Sequence, residues 1–174
     1  FDCAVVVSDG GIAGVVPKTF FSDSHGFCGK RWFSSENDRV SDEIFIKNKN
    51  VPFGSDLLFE IDGFHEAVFG VEMSEDLWAL KPPSLDMAAS GTTLVFNLSA
   101  STEYLGKNVY RRNLVLSQSG RCIAAYAYSS SGPGESTTDA VFSGHCIIAE
   151  NGRLLEESER FHFKTTLTIS DIDI

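Results

Sequence analysis

Apolar and polar residues alternate in short blocks along this chain, and each block closes on turn-forming residues. Residues 2–7 and 12–16 flank Ser8-Asp9-Gly10-Gly11, which predicts a β-hairpin. Residues 43–46 and 57–61 read as short strands joined by the turn chemistry of 48–54, and 67–71 as a buried strand. That strand is expected to stop where Ser74, Glu75 and Asp76 begin, because unpaired carboxylates are seldom fully buried. After Pro82-Pro83, Ser84 is placed to cap a short helix through Ala89, and 92–97 is a further buried strand. The stretch 107–120 sets Val109, Leu114 and Leu116 among polar residues and ends at Gly120, the pattern of an amphipathic helix. Residues 123–128 return as a strand. Residues 140–149 and 153–155 then form a hairpin across Glu150-Asn151-Gly152, and 165–172 alternates as a last strand.

Strand, helix and strand in alternation predict an α/β fold with helices packed on a sheet. No internal repeat or linker divides residues 1–174. Two of the predicted strands are followed by small hydroxyl residues, Ser74 in one case and Ser99 and Ser101 in the other. Open α/β sheets place their sites beyond strand carboxyl ends, so the 69–78 stretch FGVEMSEDLW is the main candidate for chemistry. The plain structural alternative is that Ser74 to Asp76 cap a turn. Lys18, where the second strand leaves the hairpin, reads by pattern alone as solvent-facing. The Ser- and Gly-rich segment 22–35 carries Phe27, Trp32 and Phe33 and reads as an irregular loop pinned by aromatic anchors.

With 174 residues and 43% hydrophobic side chains the chain can bury a proper core. A net charge of −10 argues against nucleic acid or an anionic membrane surface as main partner. No apolar run reaches the roughly 20 residues of a membrane helix, and no basic-then-apolar leader opens the chain. Cys3, Cys28, Cys122 and Cys146 are scattered, which suits a reduced, cytoplasmic compartment. Neither they nor His25, His65, His145 and His162 have metal-ligand spacing, so no metal site is expected. A Ser-His-Asp hydrolase using Ser74 with His145 or His65 would lack the GxSxG elbow. Asn97-Leu98-Ser99 matches a glycosylation acceptor, but its place at a buried strand end marks it as a chance match. The first residue is not methionine and lies inside a hairpin, so the chain is expected to be N-terminally incomplete.

Taken in order, GVVPKTF (14–20), KRWF (30–33), VPFGSDLLFE (51–60), GVEMSEDLW (70–78), NLSAS (97–101), YRRNLV (110–115), GPGESTTD (132–139) and AENGRLLEESERF (149–161) resemble one family. It is the glutaminase domain of glutamine-dependent NAD synthetase, in the nitrilase (carbon–nitrogen hydrolase) superfamily. The resemblance implies an α-β-β-α sandwich and a triad of glutamate, lysine and cysteine. In that triad the cysteine attacks the side-chain amide of glutamine, the glutamate is general base and acid, and the lysine stabilises the oxyanion. Such a donor is worth about 3–4 kcal/mol. Lys18 matches the lysine, and Ser74 stands where the family has its cysteine. Glu75 matches the residue that meets the substrate amino group, Ser101 and Lys107 match positions lining the glutamine pocket, and Phe27 matches a pocket wall. Ser24 and Gly26 replace a tyrosine and a supporting glutamate, and the triad glutamate is expected upstream of Phe1.

A serine at position 74 has no neighbouring base and almost no alkoxide, so the resemblance implies lost or greatly reduced thiol chemistry. No SGGxDS-type phosphate loop occurs, so no cofactor is expected here; ATP and Mg would belong to a synthetase domain. The implied partners are glutamine, that synthetase domain and further copies of the chain in a homo-oligomer. Two rival readings are another amidase of the superfamily and a non-catalytic remnant acting as scaffold or subunit contact.

Overall fold

A computed structural model describes residues 1–21, 29–136 and 138–174. The opening hairpin forms as expected: β1 (Cys3–Ser8) pairs antiparallel with β2 (Gly11–Pro17). Asp9 and Gly10 both take left-handed φ, 50° and 73°, the type I′ geometry whose twist matches that of the strands. A second hairpin, β3 (Glu43–Ile46) with β4 (Lys49–Pro52), turns through Lys47 and Asn48 in the same way, with φ of 48° and 63°. Residues 48–54 were expected to be turn throughout. Val51 overturns that: it is buried with Val15 and Phe53, and this apolar contact favours a paired strand over a loop.

The main sheet has six strands among the described residues, each lying beside its neighbours in chain order. β5 (Leu58–Ile61) turns at Asp62-Gly63 into β6 (Phe64–Met73), which is longer than the expected 67–71 at both ends. β7 (Leu94–Ser99) and β8 (Ala125–Ser130) run parallel to β6, reached through the crossover helices α1 (Pro83–Ala89) and α2 (Lys107–Cys122). Ser84 is not the cap of α1. Pro83 occupies the first helical position and Pro82 the cap, so the helix begins two residues earlier, and the Ser84 N–H donates to Glu72 Oε2 at 2.9 Å. α2 does not stop at Gly120 but runs to an Ile123 cap with φ 49°. Gly120 is spent instead on close approach: a Cβ there would meet the Gly152 Cα at 3.2 Å. β9 (Ile147–Glu150) and β10 (Arg153–Glu157) close the sheet around Asn151-Gly152. Among the described residues no strand pairs with 165–172; Leu167 and Ile169 are exposed, so no buried face rewards pairing.

Packing follows the alternation. On one face Val95, Tyr126, Tyr128, Ile147 and Ala149 bury against Val115 of α2 and Leu77, each buried valine, leucine or isoleucine contributing roughly 1.5–3 kcal/mol. On the other, Val71 and Met73 of β6 meet Ala4 and Val16 of the first hairpin. Helices, sheet and hairpin thus stack as the α-β-β part of the expected sandwich. The parallel ladder brings the carboxyl ends of β6, β7 and β8 to one edge, and the first hairpin ends beside them.

Candidate active site

β6 continues through Glu72 and Met73 before the chain breaks at Ser74 into a 3-10 turn, Ser74–Trp78. Ser74 has φ 44°, a left-handed conformation that costs a serine about 1–3 kcal/mol and projects its side chain from a sharp corner. Neighbours hold it there. Its N–H donates to Asn97 Oδ1 at 3.1 Å, and its Oγ accepts the Ala100 N–H at 2.9 Å. The same Oγ donates to Ser99 Oγ at 3.3 Å, which also accepts from the Tyr128 hydroxyl at 2.6 Å. The Ser74 side chain thus ties the end of β6 to Ser99 and Ala100 at the end of β7.

Lys18 is 5% exposed, which overturns the solvent-facing reading. Its ammonium forms an ion pair with Glu75, the residue after Ser74, and lies 5.1 Å from the centre of the Phe21 ring. Lys18 and Ser74 thus come to the same strand-end corner. Asp76 binds the two segments: it accepts N–H groups from Thr19 (3.2 Å), Phe20 (2.7 Å) and Met73 (3.0 Å). Burial raises its pKa from 3.8 to about 7; these backbone donors oppose the rise and the Glu72 carboxylate adds to it.

Ser101, in the loop that leads from β7 into α2, and Lys107, the first residue of α2, are both buried. Lys107 donates to the Thr102 carbonyl at 2.5 Å, and its ammonium lies 4.8 Å from the Tyr104 ring centre and 5.8 Å from that of Trp78. Burial lowers its pKa, Arg111 lowers it further, and Glu103 and Glu75 oppose the fall. Glu75 thus pairs with the Lys18 ammonium, while Lys107 is held at the Thr102 carbonyl between the Tyr104 and Trp78 rings. Phe27, Ser24 and Gly26 lie outside the described residues.

Pattern reading missed two buried networks. In the first, Glu72 at 1% exposure accepts from the Tyr126 hydroxyl and the Ser84 N–H; Asn97 Nδ2 donates to Tyr126 at 3.0 Å while its Oδ1 holds the Ser74 amide. Burial pushes the Glu72 carboxyl up. In the second, Arg111 binds Glu103 at 2.9 Å and His145 Nδ1 at 2.8 Å, fixing the loop that carries Ser101. An arginine only donates, so His145 keeps its proton on Nε2, which donates to Glu157 at 2.7 Å. Both ring nitrogens being engaged, His145 is not a base for Ser74. His65 is exposed and pairs with Glu60. Such partners are set by three-dimensional closure, and the one sequence signal was polar residues on inward-facing strand positions.

No family model matches the chain. Among solved structures it resembles a carbon–nitrogen hydrolase from Helicobacter pylori, with TM-score 0.63 and 16% identity over 87% of this chain and 50% of that one. The protein is thus a mixed α/β chain of the nitrilase, or carbon–nitrogen hydrolase, fold. It superposes more fully on a glutamine-dependent NAD(+) synthetase from Cytophaga hutchinsonii, with TM-score 0.81 and 27% identity over 96% of this chain and 26% of that one. Glutamine-dependent NAD(+) synthetases from Mycobacterium tuberculosis and Mycobacterium leprae are 40% and 39% identical over 173 residues, 99% of this chain. Over nearly its whole length the chain is a relative of the glutamine-dependent NAD(+) synthetases, and it spans about 25% of the length of the curated relatives it matches.

Proposed function

We propose that this chain is the glutamine-binding amidase part of a glutamine-dependent NAD(+) synthetase, and that Ser74 in the nucleophile position leaves it without useful turnover. The observation that carries the reading is the convergence of Lys18 and Glu75 on the Ser74 corner, where their side chains form an ion pair. A carboxylate next to residue 74 suits recognition of the amino group of an amino acid, and a lysine beside the nucleophile suits stabilisation of a developing oxyanion. In the complete reaction the amide nitrogen of glutamine would leave as ammonia and convert deamido-NAD to NAD on a synthetase domain. ATP and Mg would act there, in a cytoplasmic homo-oligomer. No helix among the described residues is long and apolar enough to cross a membrane.

Loss of activity follows from the chemistry of position 74. The Ser74 hydroxyl is hydrogen-bonded to Ala100 N–H and Ser99 Oγ, neither of them a base. The same observation favours the second reading, a non-catalytic domain kept as scaffold or subunit contact. Glutamine separates the two: titration calorimetry is expected to show binding by the chain with no ammonia release, whereas absent binding supports the scaffold. Measurable turnover overturns the assignment of inactivity. Ser74→Cys alone is expected not to restore turnover, because parts of a catalytic unit act together. The introduced thiol should still react with a diazo-ketone glutamine analogue. An adduct on Cys3, Cys28, Cys122 or Cys146 in its place, read by mass spectrometry, overturns the site.

A further inference from the structure

Asp76 is 1% exposed, and its two oxygens face different segments. Oδ1 accepts from the amides of Thr19 and Phe20, which directly follow Lys18, while Oδ2 accepts from the amide of Met73, which directly precedes Ser74. The other backbone ties of Lys18 run elsewhere, from its N–H to Asp2 O at 2.8 Å and from Glu36 N–H to its carbonyl at 3.0 Å. The ion pair to Glu75 fixes the tip of the lysine; the base of that long, flexible side chain is set by the loop.

We propose that Asp76 is a positioning residue that locks the Lys18 loop to the Ser74 turn and so sets where the ammonium stands relative to the reacting atom of residue 74. The inference rests on reading Lys18 and residue 74 as a reacting pair. Geometry makes the lock matter, since a misplacement of about 1 Å can cost about 10²-fold in rate. The ionised carboxylate, the dominant form above about pH 7, suits the task because both of its oxygens accept, and backbone amides on two segments need acceptors at once. Asparagine in its place would accept on one side only and set an amide N–H against the amide on the other. Glu72 and Lys18 are the charged groups that bear on Asp76.

The test uses the Ser74→Cys chain and follows the rate at which a small alkylating agent modifies the introduced thiol as pH is varied, with peptide mapping to separate it from the other cysteines. With Lys18 in place its pKa is expected below the usual value of about 8.5. Lys18→Met should raise it by about one pH unit, about tenfold less thiolate near neutrality, and Asp76→Asn should do the same. The double variant should show no further rise, because both changes remove one effect. A thermal melt of each variant registers stability separately, and a merely structural role would move the melt without moving the pH profile. If Lys18→Met shifts the profile and Asp76→Asn does not, the role of Asp76 is overturned while the Lys18 reading stands. If Lys18→Met itself has no effect, the reacting pair fails and the proposal with it. Should Asp76→Asn not fold, hydrogen exchange on the unsubstituted chain decides: slow exchange at both Thr19 and Phe20 supports the lock, and fast exchange at both overturns it.

Discussion

Two carboxylates at the corner, Glu72 and Asp76, are almost wholly buried, whereas the expectation was that acidic residues end the strand. The rule that unpaired carboxylates avoid the interior still holds. What pattern could not show is that these are paired, one with Tyr126 and the Ser84 amide, the other with three backbone amides. Burial lifts both, Asp76 from 3.8 to about 7, so the folded chain retains protons that the unfolded chain has released. Their stabilising contribution is complete below about pH 4 and disappears as pH rises through about 7 for Asp76. Urea unfolding at stepped pH should therefore show a slope over that window that is reduced in Asp76→Asn. An identical slope in parent and variant would show that Asp76 does not titrate in the fold.

Elements whose ends are set by local chemistry were legible in the sequence. The hairpins at Asp9-Gly10 and Asn151-Gly152, the strand entering Ser74 and the helix beginning at Lys107 all stand close to where pattern put them. Elements that depend on distant contacts were not. β4 is a strand because Val51 meets Val15 and Phe53, and 165–172 is not one because nothing covers Leu167 and Ile169. Gly120 is the clearest case, a glycine read as a helix stop that serves as the point where α2 touches the β9–β10 turn. Gly120→Val should place a branched side chain against the backbone of Gly152 and destabilise the chain by about 1–3 kcal/mol, measurable as a lowered Tm. An unchanged Tm would mean that the hairpin gives way freely.

At the scale of the whole molecule, the candidate site was legible as positions but not as a mechanism of assembly. Lys18, Ser74, Ser101 and Lys107 could be named from their motifs, while Asp76, Asn97, Tyr128 and Arg111, which hold them in place, carry no local signal. The site gathers residues from the first hairpin, the ends of β6, β7 and β8, and the start of α2, and two of the strand neighbours are joined only through crossovers. Time is where this has its consequence. Hairpins with two-residue turns close on a scale of about 1–10 μs, but parallel pairing must wait for helices to form and return the chain. Trp78 sits at the late junction, edge-on to Tyr128 of β8 at 6.4 Å, whereas Trp32 is largely exposed. In refolding followed by stopped flow, β-structure seen by circular dichroism should precede the change in Trp78 emission, read in a Trp32→Phe background. The corner at Ser74 would then be the last part of the protein to exist, and coincident signals would show instead that it forms with the hairpins.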